Sequence, residues 1–226
     1  MIDHHPTIER LEQYVLGTID ASHGFAIASH LDYCSVCQAQ VSELEAKVAE
    51  AAFHHSEIES ASTSDDMMNM FSAIVEVAPQ TIVDSTPTRP KAEYIEVANK
   101  RFQLPTQVAR QISSLGEWKN YGGKVFSAPI TLENNVHANL MYIAQGVSIP
   151  EHTHKGKETT LILHGGYQDQ LGSYKAGDYI ECTQSDIHSP ETTHEDCLCL
   201  TLLTEPMLFT KGVARVFNLF GKGMYP

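Results

Sequence analysis

Residues 146–165 read GVSIPEHTHKGKETTLILHG, and this stretch decides the architecture of the carboxy-terminal half. Gly146 opens it, His152 and His154 stand two apart, Glu158 follows four residues on, and Gly165 closes it. Successive side chains of a strand point to opposite faces, so His152 and His154 share one face. Glu158 heads the β-branched and apolar run Thr159 to Leu163 and returns on the adjoining part of the sheet. A fourth candidate stands 30 residues further along, where Gly177 and ten intervening residues lead to His188. From about Val108 onward, short β-rich runs alternate with Gly, Pro and Asn: Val125-Phe126, Ala138 to Ile143, Tyr179 to Cys182, Leu198 to Leu203, and Val213 to Phe217. Strands at this spacing predict an all-β sandwich or barrel, and His152, His154, Glu158 and His188 form a candidate metal constellation within it.

Three imidazoles and one carboxylate suit zinc, iron, manganese, nickel or copper. Four protein ligands saturate a tetrahedral zinc ion, whereas an octahedral ion would keep two positions open. The two segments resemble the paired motifs of the cupin fold, and the first fits at every defined position. The second departs from the pattern, because Thr183 and Ser185 stand where proline and glycine are typical. The resemblance implies a double-stranded β-helix, or jelly-roll barrel, over residues 108–226.

Working outward, the amino-terminal third has a different character. The chain of 226 residues carries a net charge of −13, and residues 1–78 hold 13 acidic side chains against only Arg10 and Lys47. A segment at −11 is repelled by nucleic acid phosphates and attracted to a basic protein surface. Direct nucleic-acid binding by this part is therefore not expected. Its apolar residues recur at helical spacing: Ile8, Leu11 and Val15 after Thr7; Phe25, Ile27 and Leu31 after Asp20; Val41, Leu44 and Val48; then Met70, Phe71, Ile74 and Val75 after Asp65-Asp66. Pro79 to Pro90 holds three prolines and reads as a linker, followed by a lead-in to residue 107. At 42 % hydrophobic residues the chain can bury a core. No window approaches a membrane span, and Met1-Ile2-Asp3-His4-His5 lacks the order of a secretory signal. A soluble, cytoplasmic protein is expected.

Within the helical part, His30, Cys34 and Cys37 follow the spacing H-x3-C-x2-C. In helical surroundings this predicts a metal site rather than a redox pair. Zinc needs four N or S ligands at tetrahedral angles, and His4 and His5 are the obvious donors of the fourth. The start of the third helix also favours thiolates.

The run HHPTIERLEQYVLGTIDASHGFAIASHLDYCSVC, residues 4–37, resembles the zinc-binding anti-sigma domain, and the ChrR type in particular. That resemblance implies zinc on His5, His30, Cys34 and Cys37. It carries His152, His154, Glu158 and His188 onto a cupin-like domain that holds zinc or another divalent metal. It divides the chain into an all-α zinc-binding anti-sigma domain at 1–78, a linker and lead-in at 79–107, and an all-β cupin domain at 108–226. The family wraps around a basic group IV (extracytoplasmic-function) sigma factor and blocks core RNA polymerase. The cupin domain then responds to photooxidative stress, chiefly singlet oxygen and peroxides, and frees the sigma factor. No enzymatic activity is implied. The alternative reading is a metal-dependent cupin dioxygenase with an accessory zinc domain, which would carry redox-active metal and consume oxygen. A sugar- or small-molecule-binding cupin whose zinc domain only dimerises is a third.

Other conspicuous residues read as structural. Cys182, Cys197 and Cys199 lie in apolar strands and are expected to be reduced core thiols. His54 and His55 fit a helix end. His137, His164 and His194 lack a spacing partner. The stripe Met67, Met68, Met70 and Phe71 suits either a partner surface or a core.

Overall fold

The computed structural model describes residues 2–54, 64–76, 93–132 and 137–219. The linker at Pro79 to Pro90 and His55 lie outside the described residues, as does the side chain of His54. The chain forms two compact units, one of Met1–Glu45 with Ala92–Pro226 and one of Ala46–Lys91. The first unit starts with α1 (Ile8–Val15), α2 (Ala21–Leu31) and the opening turns of α3 (Ser35–His54). The second holds the remainder of α3 and α4 (Asp65–Glu76).

Local chemistry starts these helices where the sequence places them. The Thr7 hydroxyl accepts the Arg10 N–H, and the Asp20 carboxylate accepts the N–H groups of Ser22 and His23. Each satisfies a donor that the first helical turn leaves open. The Ser64 hydroxyl accepts the Met67 N–H and does the same for α4. None of the described residues of α4 is buried.

The first unit resumes with the hairpin β1 (Tyr94–Val97) and β2 (Lys100–Gln103), then α5 (Thr106–Arg110). The described part of the lead-in is thus ordered secondary structure, and Ile95, Val97, Phe102 and Leu104 are buried in the main core. The strands that follow are β3 (Lys119–Tyr121), β4 (Val125–Ile130), β5 (His137–Ile143), β6 (His152–His154), β7 (Glu158–Gln168), β8 (Ser173–Lys175), β9 (Tyr179–Cys182), β10 (Cys197–Leu203) and β11 (Met207–Phe209). An antiparallel sheet runs β3-β4-β5-β10-β7-β8, with β9 also paired to β7, and β6 pairs with β11.

β10 explains how the helices fit. It lies between β5 and β7, and every one of its residues is buried. A strand covered on both faces loses the alternation of a half-exposed one, and CLCLTLL is such a run. One face, Leu198, Leu200 and Leu202, belongs to a core that also contains Leu11, Ile27 and Val41 from the first three helices. The other face, Cys197 and Cys199, packs inside the barrel with Met141, Ile162 and Tyr167. The start of the helical region therefore lies on the outside of the sheet, and its apolar stripe and the sheet's outer face bury each other.

Val213 to Phe217, expected as a strand, is instead part of a 3-10 helix, Val213–Leu219. Gly212 in the left-handed region, φ +68°, turns the chain, and the Arg215 N–H closes on the Gly212 carbonyl. Local hydrogen bonds thereby replace a strand ladder.

Gly165, in β7, has φ +63°, and a Cβ there would overlap the Asp196 carbonyl oxygen. The clash is with backbone, so it cannot be relieved by a rotamer change. Gly165→Ala is expected to cost at least about 2 kcal/mol from the left-handed conformation and the overlap together. Chemical denaturation would show this as a lower midpoint at unchanged slope.

Candidate metal centres

The amino-terminal group is gathered from four short stretches. His5 precedes α1, His30 occupies the last turn of α2, Cys34 lies in the turn that follows, and Cys37 in the first turn of α3. His5 Nδ1 is 3.4 Å from both Cys34 Sγ and Cys37 Sγ, and His30 Nε2 is 3.3 Å from Cys37 Sγ. All four candidate ligand atoms lie within 4.8 Å of one another. Zinc bonds of about 2.1 Å to nitrogen and 2.3 Å to sulfur at tetrahedral angles set neighbouring N and S atoms about 3.5 Å apart. The donor set fits such an ion. His4 is turned elsewhere: its ring lies against Tyr174 with centroids 4.8 Å apart.

Burial pushes His30 down to about 4, so the ring is neutral at physiological pH. Its Nδ1–H donates to the Gly177 carbonyl at 2.8 Å, which leaves the Nε2 lone pair facing the thiols. Burial, reinforced by neighbouring Cys34, pushes the Cys37 thiol up to about 12. A divalent ion would make both sulfurs thiolates, so binding releases protons.

The second group lies in the barrel. His152 and His154 come from β6, and Glu158 is the first residue of β7. His188 is held opposite His152 by reciprocal backbone hydrogen bonds of 3.0 and 3.1 Å. His154 Nε2 lies 3.0 Å from Glu158 Oε2 and 3.2 Å from His188 Nε2. Two imidazole nitrogens facing each other beside a buried carboxylate are the donor set that a cation between them would satisfy. Two of the three remaining ring nitrogens are anchored as ligating histidines require, whereas His154 Nδ1 is buried with no hydrogen-bond partner among the described residues. His152 Nδ1–H donates to the Pro150 carbonyl and His188 Nδ1–H to Asp169, both at 2.9 Å. Burial pushes His152 down to about 4. Burial alone would raise Glu158, but the hydrogen bond from His154, with His152 and His188 nearby, holds it at about 2. The adjoining cavity measures about 30 Å³ and is lined in part by Met141, Cys199, Thr201 and Met207.

Residues 113–206 match the family model described as the ChrR cupin-like domain. The anti-sigma-E factor ChrR of Cereibacter sphaeroides is 26 % identical over 227 residues, spanning 97 % of this chain and 98 % of that protein. Over nearly its whole length the chain is similar to ChrR. The crystal structure of Rhodobacter sphaeroides SigE in complex with the anti-sigma ChrR matches with a TM-score of 0.63 and 25 % identity, covering 90 % of this chain and 99 % of that one. An RmlC-like cupin protein from Ralstonia eutropha matches over 42 % of this chain and 67 % of that one, at 17 % identity and a TM-score of 0.38. The architecture is the ChrR order of amino-terminal helices followed by a cupin-like domain. No helix among the described residues is long and apolar enough to cross a membrane.

Two residues beside these groups escaped the sequence reading. Asp169 orients His188, and Asp178, fully buried, binds the amino-terminal segment. Neither carries a spacing signal of its own, although Asp178 directly follows the second-motif glycine. Cys182, Cys197 and Cys199 are free, buried thiols. His164 is half-exposed, its ring tilted against Phe102.

Proposed function

We propose that this protein is an anti-sigma factor that sequesters a group IV sigma factor through its amino-terminal helices and releases it when the metal-loaded cupin domain meets an oxidative signal. The likeness to ChrR as it stands in a complex with SigE, over nearly the full length of both chains, carries this reading. The chemistry of the chain supports it independently. α4 leaves Met67, Met68, Met70, Phe71, Ile74 and Val75 each more than half exposed, a stripe of a size that marks interaction surfaces. Asp65 and Asp66 stand in its first turn, within a segment that carries −11. Apolar side chains ringed by acids suit a basic partner with its own apolar groove. Acting on a sigma factor puts the protein in the cytoplasm.

In this reading His5, His30, Cys34 and Cys37 hold zinc. The ion would tie the segment before α1 to the last turn of α2 and the first turn of α3. His152, His154, Glu158 and His188 hold zinc or another divalent ion. An ion there supplies a Lewis-acidic centre where a small oxidant can act beside the Met141 and Cys199 side chains. The dioxygenase alternative fares worse against the cavity. Substrate pockets run to about 300–1,000 Å³, whereas about 30 Å³ beside Glu158 admits little more than a water-sized ligand.

Co-expression with a group IV sigma factor tests the reading. The full chain should co-purify with it at 1:1. Met70→Ser with Phe71→Ser, on an exposed face, should weaken capture at least about 30-fold by removing two large apolar anchors. Failure of the zinc-loaded chain to retain any group IV sigma factor of its own organism would refute the reading.

A further inference from the structure

The two metal centres are joined by a single stretch of chain. The Gly177–Tyr179 turn leads into β9, whose first residue is Tyr179, and meets the amino-terminal segment at several points. One Asp178 carboxylate oxygen accepts the backbone N–H groups of Asp3 and His4 at 2.9 and 3.2 Å, and the other accepts the Lys175 N–H at 2.9 Å. The Tyr179 N–H donates to the His4 carbonyl at 3.0 Å, and the Gly177 carbonyl accepts from His30 Nδ1 at 2.8 Å. Lys175 pairs with the Asp3 side chain. Gly177 has φ +94°, which strains any larger residue, and a Cβ there would meet Ile2 Cδ1 at 2.6 Å and Tyr33 Cβ at 3.0 Å, so the two segments approach closely. Tyr33, between His30 and Cys34, donates its hydroxyl to the Leu163 carbonyl of β7.

Both histidines of the amino-terminal centre are therefore held by the barrel. His5 follows the pinned His4 and precedes Pro6, whose ring restricts the chain on the other side. Beyond the turn, β9 pairs Cys182 with Glu158, and the chain continues to His188, which is bridged to His152. One end of the Gly177–His188 stretch fixes ligands of one centre, and the other end supplies a ligand to the second.

We propose that the Gly177–Tyr179 turn is a clasp that positions His5 and His30 for a metal ion, with Asp178 as the positioning residue, and that the Gly177–His188 stretch couples this centre to the one in the barrel. The proposal rests on metal binding at both centres, and it deepens the regulatory reading. A change at the barrel ion reaches the segment before α1 and the end of α2 through β9 and this turn. By linkage the coupling is reciprocal.

The test uses the full chain without a partner, with zinc and cobalt(II) as probes. The cobalt–thiolate charge-transfer band reads the amino-terminal centre alone, because the barrel centre has no sulfur among its four candidate ligands. Asp178→Ala should weaken metal binding at the thiolate centre about 10–100-fold, the usual effect of removing a residue that orients a ligand. Asp178→Asn, which keeps one acceptor oxygen, should restore part of that loss. Because Asp178 also serves its own turn, Asp3→Pro provides a variant that leaves the barrel sequence intact. It deletes one N–H donor to Asp178 and should weaken the same centre, whereas Asp3→Ala, which keeps that N–H, should not. Glu158→Gln should lower thiolate-centre affinity about fivefold or more through the shared stretch. Unchanged affinity in Asp3→Pro would overturn the clasp, and unchanged affinity in Glu158→Gln would overturn the coupling. Absence of the charge-transfer band in the unsubstituted chain would instead remove the metal reading on which both rest.

Discussion

Cys37→Ser is expected to weaken the amino-terminal centre until it stands empty at limiting zinc, and under those conditions to abolish capture of the sigma factor. Cys37 is fully buried, and its sulfur lies against His5 and His30. A serine hydroxyl is a poor zinc ligand and does not ionise in such surroundings. Structural zinc sites contribute about 10–16 kcal/mol in small peptides. Loss of one thiolate of four should cost about 4 kcal/mol, or roughly 1,000-fold in metal affinity. The helices should not melt altogether, because Leu11, Ile27 and Val41 share a core with Leu198, Leu200 and Leu202 of the sheet. The expected phenotype is a folded chain with near-native helix content by circular dichroism, one metal per chain where the parent holds two, and no sigma factor in a pull-down. A Cys37→Ser chain that still held two metals would contradict the assignment of the ligand.

This outcome depends on an arrangement that the sequence announced only in part. Short-range signals were legible because their physics is local. Thr7 and Asp20 cap helices by reaching two or three residues ahead, and H-x-H-x3-E works through strand alternation and one turn. His5 rather than His4 turning to the cysteines is set by contacts with Asp178 and Tyr179, more than 170 residues away. No window along the chain shows those. The run Cys197 to Leu203 did carry a signal of long range. Its lack of alternation means cover on both faces, and only a second layer of structure could supply the outer cover. In the structure α1, α2 and the first turns of α3 supply it. Val213 to Phe217 misled because a β-branched run says what a strand would prefer, not whether a neighbouring edge is there to pair with.

His152→Ala combined with His154→Ala should separate the two centres by function. The pair removes two of the four candidate ligands and two of the three imidazoles that hold the Glu158 carboxylate near 2. With only His188 left beside it, burial moves Glu158 upward from that value. Each truncation also leaves a void in a tightly packed interior, at about 1–3 kcal/mol apiece. The barrel should survive, because the sheet built on β5, β10 and β7 takes no pairing from β6. At saturating zinc the variant should still bind about one ion and still retain the sigma factor, since His5, His30, Cys34 and Cys37 are untouched. At limiting zinc it should lose the partner sooner than the parent, because the clasp no longer receives support from the barrel ion. Challenge with peroxide or singlet oxygen should release the sigma factor from the parent and leave it bound to the variant. Equal release from both would place the oxidant's target outside the barrel and make the thiolates of the amino-terminal centre the sensor.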